Sequence, residues 1–313
     1  MFKNLRVIVA YLIFIVVCCT LYEFYSDLEY FENLNMDIGN RISEYFYRFG
    51  VCILQKTDYL CRENYKGTVF FEHLPTNIPY DAAKFDPIRD ELVRQQITEK
   101  DITTICGGCD MWEIHYDKIY HFWKAMRTLV HSMMDDAFSK SGLKPTIDNP
   151  IIHFRCADTP FIKQQGYHLQ YYKFFKTALE RINATRQGQG HYSRVTLMSC
   201  NTHRTNAEQK KACSEYTDSL KTYLNEIGYQ CDVVCGSNID DFAAIFYAPA
   251  VISTSSSFSF MSGFFGNGVF ISTENTIGRC DACNDWMLYD YNLPHEDVED
   301  YTKTDSVIPL LSQ

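Results

Sequence analysis

Apolar residues run through this chain in two rhythms. From Tyr116 to Phe138 they fall at spacings of three and four (Ile119, Phe122, Trp123, Met126, Leu129, Val130, Met133). That spacing lines one face of an amphipathic helix, and core packing is the first reading of such a stripe. Asp86 to Ile97 and the aromatic stretch Ile42 to Phe49 read as helices too, and Thr68 to Phe71 reads as a strand. Beyond Lys144–Pro150, where two prolines and polar residues break the periodicity, the pattern changes. Short apolar runs at Ile151–Phe154, Arg194–Ser199, Cys231–Cys235, Val251–Ser253 and Val269–Ile271 alternate with helical stretches at Leu169–Ile182, Asn206–Ile227 and Asp240–Tyr247. A further helix opens in the serine cluster and ends near Gly263 or Gly266. Strand–helix alternation of this kind predicts an α/β fold with a parallel, Rossmann-like sheet.

The N-terminus sets the compartment. Lys3 and Arg6 precede an uncharged run from Val7 to Tyr22, and Glu23, Asp27 and Glu29 follow it. As helix the run is about 24 Å long, short for a span but tolerable in a thin internal membrane. Positive charge before it and negative charge after it predict a type II signal anchor with a lumenal body. The competing reading is a cleaved signal peptide, which would make the protein secreted, but Cys18-Cys19-Thr20 is a poor cleavage site. Net charge is −10, which disfavours general nucleic-acid binding and leaves room for a nucleotide ligand needing only local cations.

Cysteine usage agrees with an oxidising compartment. There are 13, two of them (Cys18 and Cys19) in the apolar run. All the others but Cys156 fall into close pairs: Cys52 with Cys61, Cys106 with Cys109, Cys200 with Cys213, Cys231 with Cys235, and Cys280 with Cys283. Local pairing is one of many connectivities, and it leaves Cys156 as a buried thiol. The two CxxC pairs read as structural disulfides, with a four-thiolate zinc site and redox chemistry as alternatives. Asn183-Ala184-Thr185 is a glycosylation sequon in a polar stretch that reads as surface loop.

Three clusters are candidates for chemistry. Asp37-Ile38-Gly39-Asn40-Arg41 stands before the aromatic helix, where glycine admits a close approach and the helix start offers N–H groups to an anion. A simple Gly-Asn turn is the plain alternative. His153-Phe154-Arg155-Cys156-Ala157-Asp158 follows a strand. There Arg155 can clamp a diphosphate, Asp158 can orient Arg155 or cap the next segment, and His153 is either a phosphate donor or a core histidine. Ser253-Thr254-Ser255-Ser256-Ser257-Phe258-Ser259 joins a strand to a helix, an anion cradle with more hydroxyls than one N-cap uses. Asp240 and Asp241 start another helix, as caps or as a contact to a guanine.

Taken together, these segments resemble the fucosyltransferase superfamily of α1,2-, α1,6- and protein O-fucosyltransferases. Gly39-Asn40-Arg41 with Tyr45-Phe46 is similar to its Gly-Asn-Gln loop and aromatic helix. His153-x-Arg155-x-x-Asp158 is similar to its His-x-Arg-x-x-Asp motif, and Ser256-Ser257-Phe258-Ser259-Phe260 to its Ser-Thr-Phe-Ser-Trp segment. The three stand in family order over roughly residues 30 to 275. Arg41 replaces glutamine, Cys156 a second arginine, Ala157 a glycine or threonine, and Phe260 a tryptophan.

The resemblance implies a GT-B arrangement of two facing Rossmann-like domains after the transmembrane helix. The chain then divides into a cytosolic tail (1–6), anchor (7–22), stem (23–30), acceptor-side domain (31–149) and nucleotide-sugar-binding domain (150–313). It implies GDP-fucose as donor, a glycan or glycoprotein acceptor, inversion, no metal, and a Golgi or ER membrane location. Arg155 and Asp158 would be the catalytic pair. Gly39, Asn40, Arg41, His153, Asp241 and the run Ser255, Ser256, Ser257, Phe258 and Ser259 would line the donor. Asp37, Asp110 and Glu113 are candidates for the base. Another nucleotide sugar on the same fold, or a non-catalytic carbohydrate-binding scaffold, are the competing expectations.

Overall fold

A computed structural model describes residues 38–61, 69–106, 116–162, 168–186, 188, 190–200, 205–254, 256–273, 287–288 and 291–313. The anchor at 7–22, the stem, Asp37, Asp110, Glu113, Ser255, and the CxxC partners Cys109, Cys280 and Cys283 lie outside these residues. Among the described residues no helix is long and apolar enough to cross a membrane.

The second half is α/β around a six-stranded sheet. Its strands are β3 (Ile151–His153), β4 (Arg194–Met198), β5 (Gln230–Val234), β6 (Ala250–Ser253), β7 (Val269–Thr273) and β8 (Met287–Leu288). They lie in the order β5-β4-β3-β6-β7-β8, every neighbouring pair parallel. Between them run α6 (Tyr172–Ala184), α7 (Ala207–Glu226), α8 (Asn238–Tyr247) and α9 (Ser257–Phe264), with α10 (Thr304–Leu311) at the end. The first half contributes α1 (Ile38–Gln55), α2 (Val69–Glu72), α3 (Ala82–Arg94), α4 (Glu99–Cys106) and α5 (Tyr116–Lys140). It also holds β1 (Tyr59–Leu60) and β2 (Asn77–Ile78), paired antiparallel.

Consecutive strand residues point to opposite faces, and the apolar runs use both. Ile151, Met198, Val251 and Phe270 join one buried cluster with α1, α5, α8 and α9. Ile152, Leu197, Ile252 and Ile271 join the other with α6, α7 and α10. Helix starts follow their caps. The Asn206 carboxamide oxygen accepts from the Gln209 amide at 2.9 Å, and the Gln209 side chain accepts from the Asn206 amide at 3.0 Å. Such a reciprocal box is worth about 1 kcal/mol or more.

Two expectations change. Of the stretch read as a strand at 68–71, residues 69–71 lie in the short helix α2, because Phe70 is buried against Phe138, ring centroids 4.5 Å apart, and a short aromatic run carries no periodicity of its own. The described part of 31–149 is helical apart from the β1–β2 ribbon, and a second parallel sheet is not among the described residues. Its helices share one hydrophobic cluster with a face of the β3–β8 sheet, so the Lys144–Pro150 joint does not divide the core.

Candidate functional site at the switch point of the sheet

Strands β3 and β6 are neighbours although β4 and β5 lie between them in sequence. Connections leave the two strands in opposite directions, and in open α/β sheets the crevice outside the carboxyl ends of strands at such a switch point is where ligands bind. His153 pairs in register with Ser253 there, so the His-x-Arg-x-x-Asp turn and the serine cluster are the two lips of the crevice.

Thr254 joins the lips. Its amide donates to the His153 carbonyl at 3.2 Å and its hydroxyl donates to the same oxygen at 3.1 Å. The Arg155 amide in turn donates to the Thr254 hydroxyl at 2.9 Å. The Arg155 guanidinium donates from Nη2 to Asp158 Oδ1 at 3.0 Å. Asp158 is buried while Arg155 keeps 22% of its side chain exposed, so the carboxylate orients a cation that solvent can reach. Ala157, between them, holds a φ of +33°, in the left-handed region that L-residues avoid. Of the two parts expected of Asp158, the structure shows the ion pair with Arg155 and no side-chain cap bond to the segment that follows.

His153 packs face to face on Phe258, centroids 5.5 Å apart and planes 29° apart. Burial, with Arg155 adding to it, lowers its pKa from 6.5 to about 3, so the imidazole is neutral at physiological pH. Its Nδ1 is buried without a hydrogen-bond partner among the described residues. A neutral imidazole can still donate one N–H, which keeps the phosphate-donor role open for this residue.

The serine cluster does two jobs. Ser253 donates to the Thr254 carbonyl at 2.9 Å, so the 2.7 Å contact between the Ser253 and Ser259 hydroxyls is a donation from Ser259. Ser259 is fully buried and its hydroxyl is spent inside the fold, which corrects its expected place in the cradle. One turn earlier, Ser256 takes the extended N-cap position of α9 without a side-chain cap bond, and Ser257 and Phe258 are half-buried. The amides of that first turn have no intrahelical acceptor, the feature by which helix starts can hold anions, and Gly39 packs against the one of Phe258.

Gly39, Asn40 and Arg41 are not a loop before a helix. They lie in the first turn of α1, which starts four residues earlier than its aromatic stretch. Successive side chains turn by about 100° around a helix, so the three side chains point in different directions. Gly39 faces α9: a Cβ built on it would stand 2.6 Å from the Phe258 amide nitrogen and the Ser257 carbonyl carbon. Asn40 is exposed and Arg41 is buried. The glycine therefore serves the site by letting two backbones touch, and places α1 against the lip.

Asp241 sits farther out. Both its oxygens accept from the Gly236 amide at 3.1 Å, and burial raises its pKa. It clamps the loop after β5, two strands or roughly 10 Å from β3. That occupation favours the capping reading over the guanine contact. Asn183 is no loop residue either. It is buried in the last turns of α6, its Nδ2 donates to the Tyr229 hydroxyl at 2.9 Å, and its Oδ1 accepts from the Tyr192 amide at 2.9 Å. The atom a glycan would take is engaged in the folded protein.

The disulfides also depart from local pairing. Cys156 bonds Cys213, and Cys200 bonds Cys235. Cys231, expected to pair with Cys235, is a buried thiol whose pKa burial pushes up to about 11. Cys52 and Cys61 are thiols and not a disulfide. Spacing failed here because parallel strands bring together cysteines from successive strand ends. Thr254 and Ala157, both structurally central, were also missed. Thr254 stood in the serine cluster, but only the β3–β6 adjacency reveals what it joins. Among the described residues no group of three or more His, Cys, Asp or Glu is arranged to hold a metal. No family model, curated protein or solved structure matches the chain.

Proposed function

We propose that the chain is a lumenal, inverting glycosyltransferase that moves fucose from GDP-fucose to a glycan or glycoprotein acceptor. In this reading residues 150–313 bind the nucleotide sugar, 31–149 form the acceptor side of a GT-B arrangement, and 7–22 anchor the protein in a Golgi or ER membrane. The observation that carries the reading is Arg155 at the switch point of a parallel sheet, braced by Asp158 and tied through its amide to Thr254, two residues before the N-cap of α9.

The acceptor hydroxyl attacks the anomeric carbon as the bond to GDP breaks, and its proton passes to a carboxylate base, for which Asp37, Asp110 and Glu113 are the candidates. Negative charge then grows on the leaving diphosphate. Arg155 meets it with a planar fork of donors, and the first-turn amides of α9 meet it with the positive end of the helix dipole. Preorganised donors of this kind are each worth about 100- to 1,000-fold in rate. Neutral His153 contributes a donor without adding a second positive charge beside Arg155.

Donor hydrolysis across GDP-fucose, GDP-mannose and UDP-sugars tests the proposal, with turnover expected for GDP-fucose. Turnover of UDP-sugars alone would replace the donor. No turnover and no GDP binding by calorimetry would favour a scaffold. Arg155→Ala is expected to lose at least about 100-fold in turnover with its unfolding midpoint little changed. Full activity in that variant overturns the clamp.

A further inference from the structure

Both disulfides found among the described residues lie on the carboxyl edge of the sheet, on the Arg155 side of the crevice. They are links in one continuous brace. Cys156, next to Arg155, bonds Cys213 of α7. One turn along α7, Thr217 donates to the Cys213 carbonyl at 2.8 Å and accepts from Ser199, at the end of β4, at 3.1 Å. The next residue, Cys200, bonds Cys235 at the end of β5. Gly236 follows, and its amide is held by Asp241 of α8. The brace ends at the Arg155 turn, where Ala157 keeps a φ of +33°. A left-handed alanine persists only where its surroundings over-determine it.

Resting on the proposed donor site, we infer that the Cys156–Cys213 disulfide is a positioning device for Arg155. It holds the turn Arg155–Asp158 in a conformation that the chain alone disfavours, so that the guanidinium waits at the diphosphate position before the donor arrives. Arg155 is pinned on one side by the Thr254 hydroxyl and on the other by this bond. Without the bond, Ala157 relaxes toward ordinary φ, and the binding-competent turn becomes a minor state. Affinity for the diphosphate then falls by the competent fraction. The left-handed penalty of one L-residue sets that loss at about 5- to 30-fold.

The test is a coupling between the cysteines and residue 157, read as GDP affinity of the full chain in detergent by calorimetry. Cys156→Ala/Cys213→Ala is expected to weaken GDP by about 5- to 30-fold at a temperature where the protein stays folded. In the Ala157→Gly background, the same cysteine substitutions are expected to cost less than about threefold, because glycine has no left-handed penalty. A disulfide that only stabilised the fold would lower the unfolding midpoint equally in both backgrounds and leave GDP affinity alone. Undiminished affinity in the folded cysteine variant, or an equal loss in both backgrounds, overturns the inference while GDP binding by the intact protein upholds the donor site. An intact protein that binds no GDP overturns the donor site itself, and the inference with it. Should the alanine pair not fold, Cys156→Val/Cys213→Ala, which fills more of the buried space, provides the same comparison in both backgrounds.

Discussion

Gly39→Ala probes the contact that joins the first half of the chain to the site. The new Cβ would lie 2.6 Å from the Phe258 nitrogen and the Ser257 carbonyl carbon, and 2.7 Å from the Phe258 Cα. Ordinary contact begins at 3.4 Å, so one helix start must retreat by about 1 Å. The neighbours are backbone atoms and cannot rotate aside. Overpacking of this kind costs about 1–3 kcal/mol, against a gain of about 0.5–1 kcal/mol for replacing a helical glycine. Overpacking wins, and we expect a net loss of about 0.5–2 kcal/mol. The larger effect is functional. Ser257 and Phe258 form the start of α9, and Phe258 carries His153 on its face. A displacement of about 1 Å there is expected to cost on the order of 100-fold in donor turnover. Urea unfolding and GDP-fucose hydrolysis on the same preparation separate the two effects. Wild-type stability together with wild-type turnover would refute the close approach and its role.

Other expectations follow from single contacts. Ser259→Ala removes the donor to the buried Ser253 hydroxyl, which keeps its own donation to the Thr254 carbonyl, and is expected to cost about 0.5–1.5 kcal/mol by denaturant unfolding. Ser253→Ala/Ser259→Ala should cost less than the sum of the single changes, and strict additivity would contradict the bond. His153 has a folded-state pKa near 3 against an ordinary 6.5, so the unfolded chain takes up the proton first as pH falls. Stability is therefore lost from about pH 6.5 downward, by about 3 kcal/mol at pH 4, and the loss levels off below pH 3. His153→Gln should lack that part of the slope, and identical pH profiles would count against a buried neutral imidazole. Asn183→Ala removes the partner of the Tyr229 hydroxyl and the Tyr192 amide and is expected to cost about 1–3 kcal/mol. A glycan found on the Asn183 peptide of folded protein would contradict the buried carboxamide.

The second half was legible because burial on both faces of a parallel sheet forces short apolar runs between turns, and each run has a strand. Helix α7 was legible from its ends, since Asn206 caps it as its residue type predicts. The placement of Arg155 just after the Ile151–His153 strand also followed from the chain alone, and with it the carboxyl edge as the place to look. Residues 69–71 were misread because three apolar residues fit a strand and a buried helical turn equally well, and Phe138 decided between them.

Local pattern thus determined which residues turn inward, where the strands lie, and which turn carries the cation. Tertiary structure decided which of these meet. It set β6 beside β3, so that Thr254 bridges to Arg155. It turned Ser259 into the core, packed Phe258 on His153, and placed Gly39 inside a helix against α9. It gave Cys156 the distant partner Cys213 in place of the expected solitary thiol. The physical reason is one of range. Hydrophobic periodicity reports on the environment of each element by itself. Strand order, disulfide partners and backbone contacts depend on pairs of residues far apart in the chain, brought together only when the faces pack.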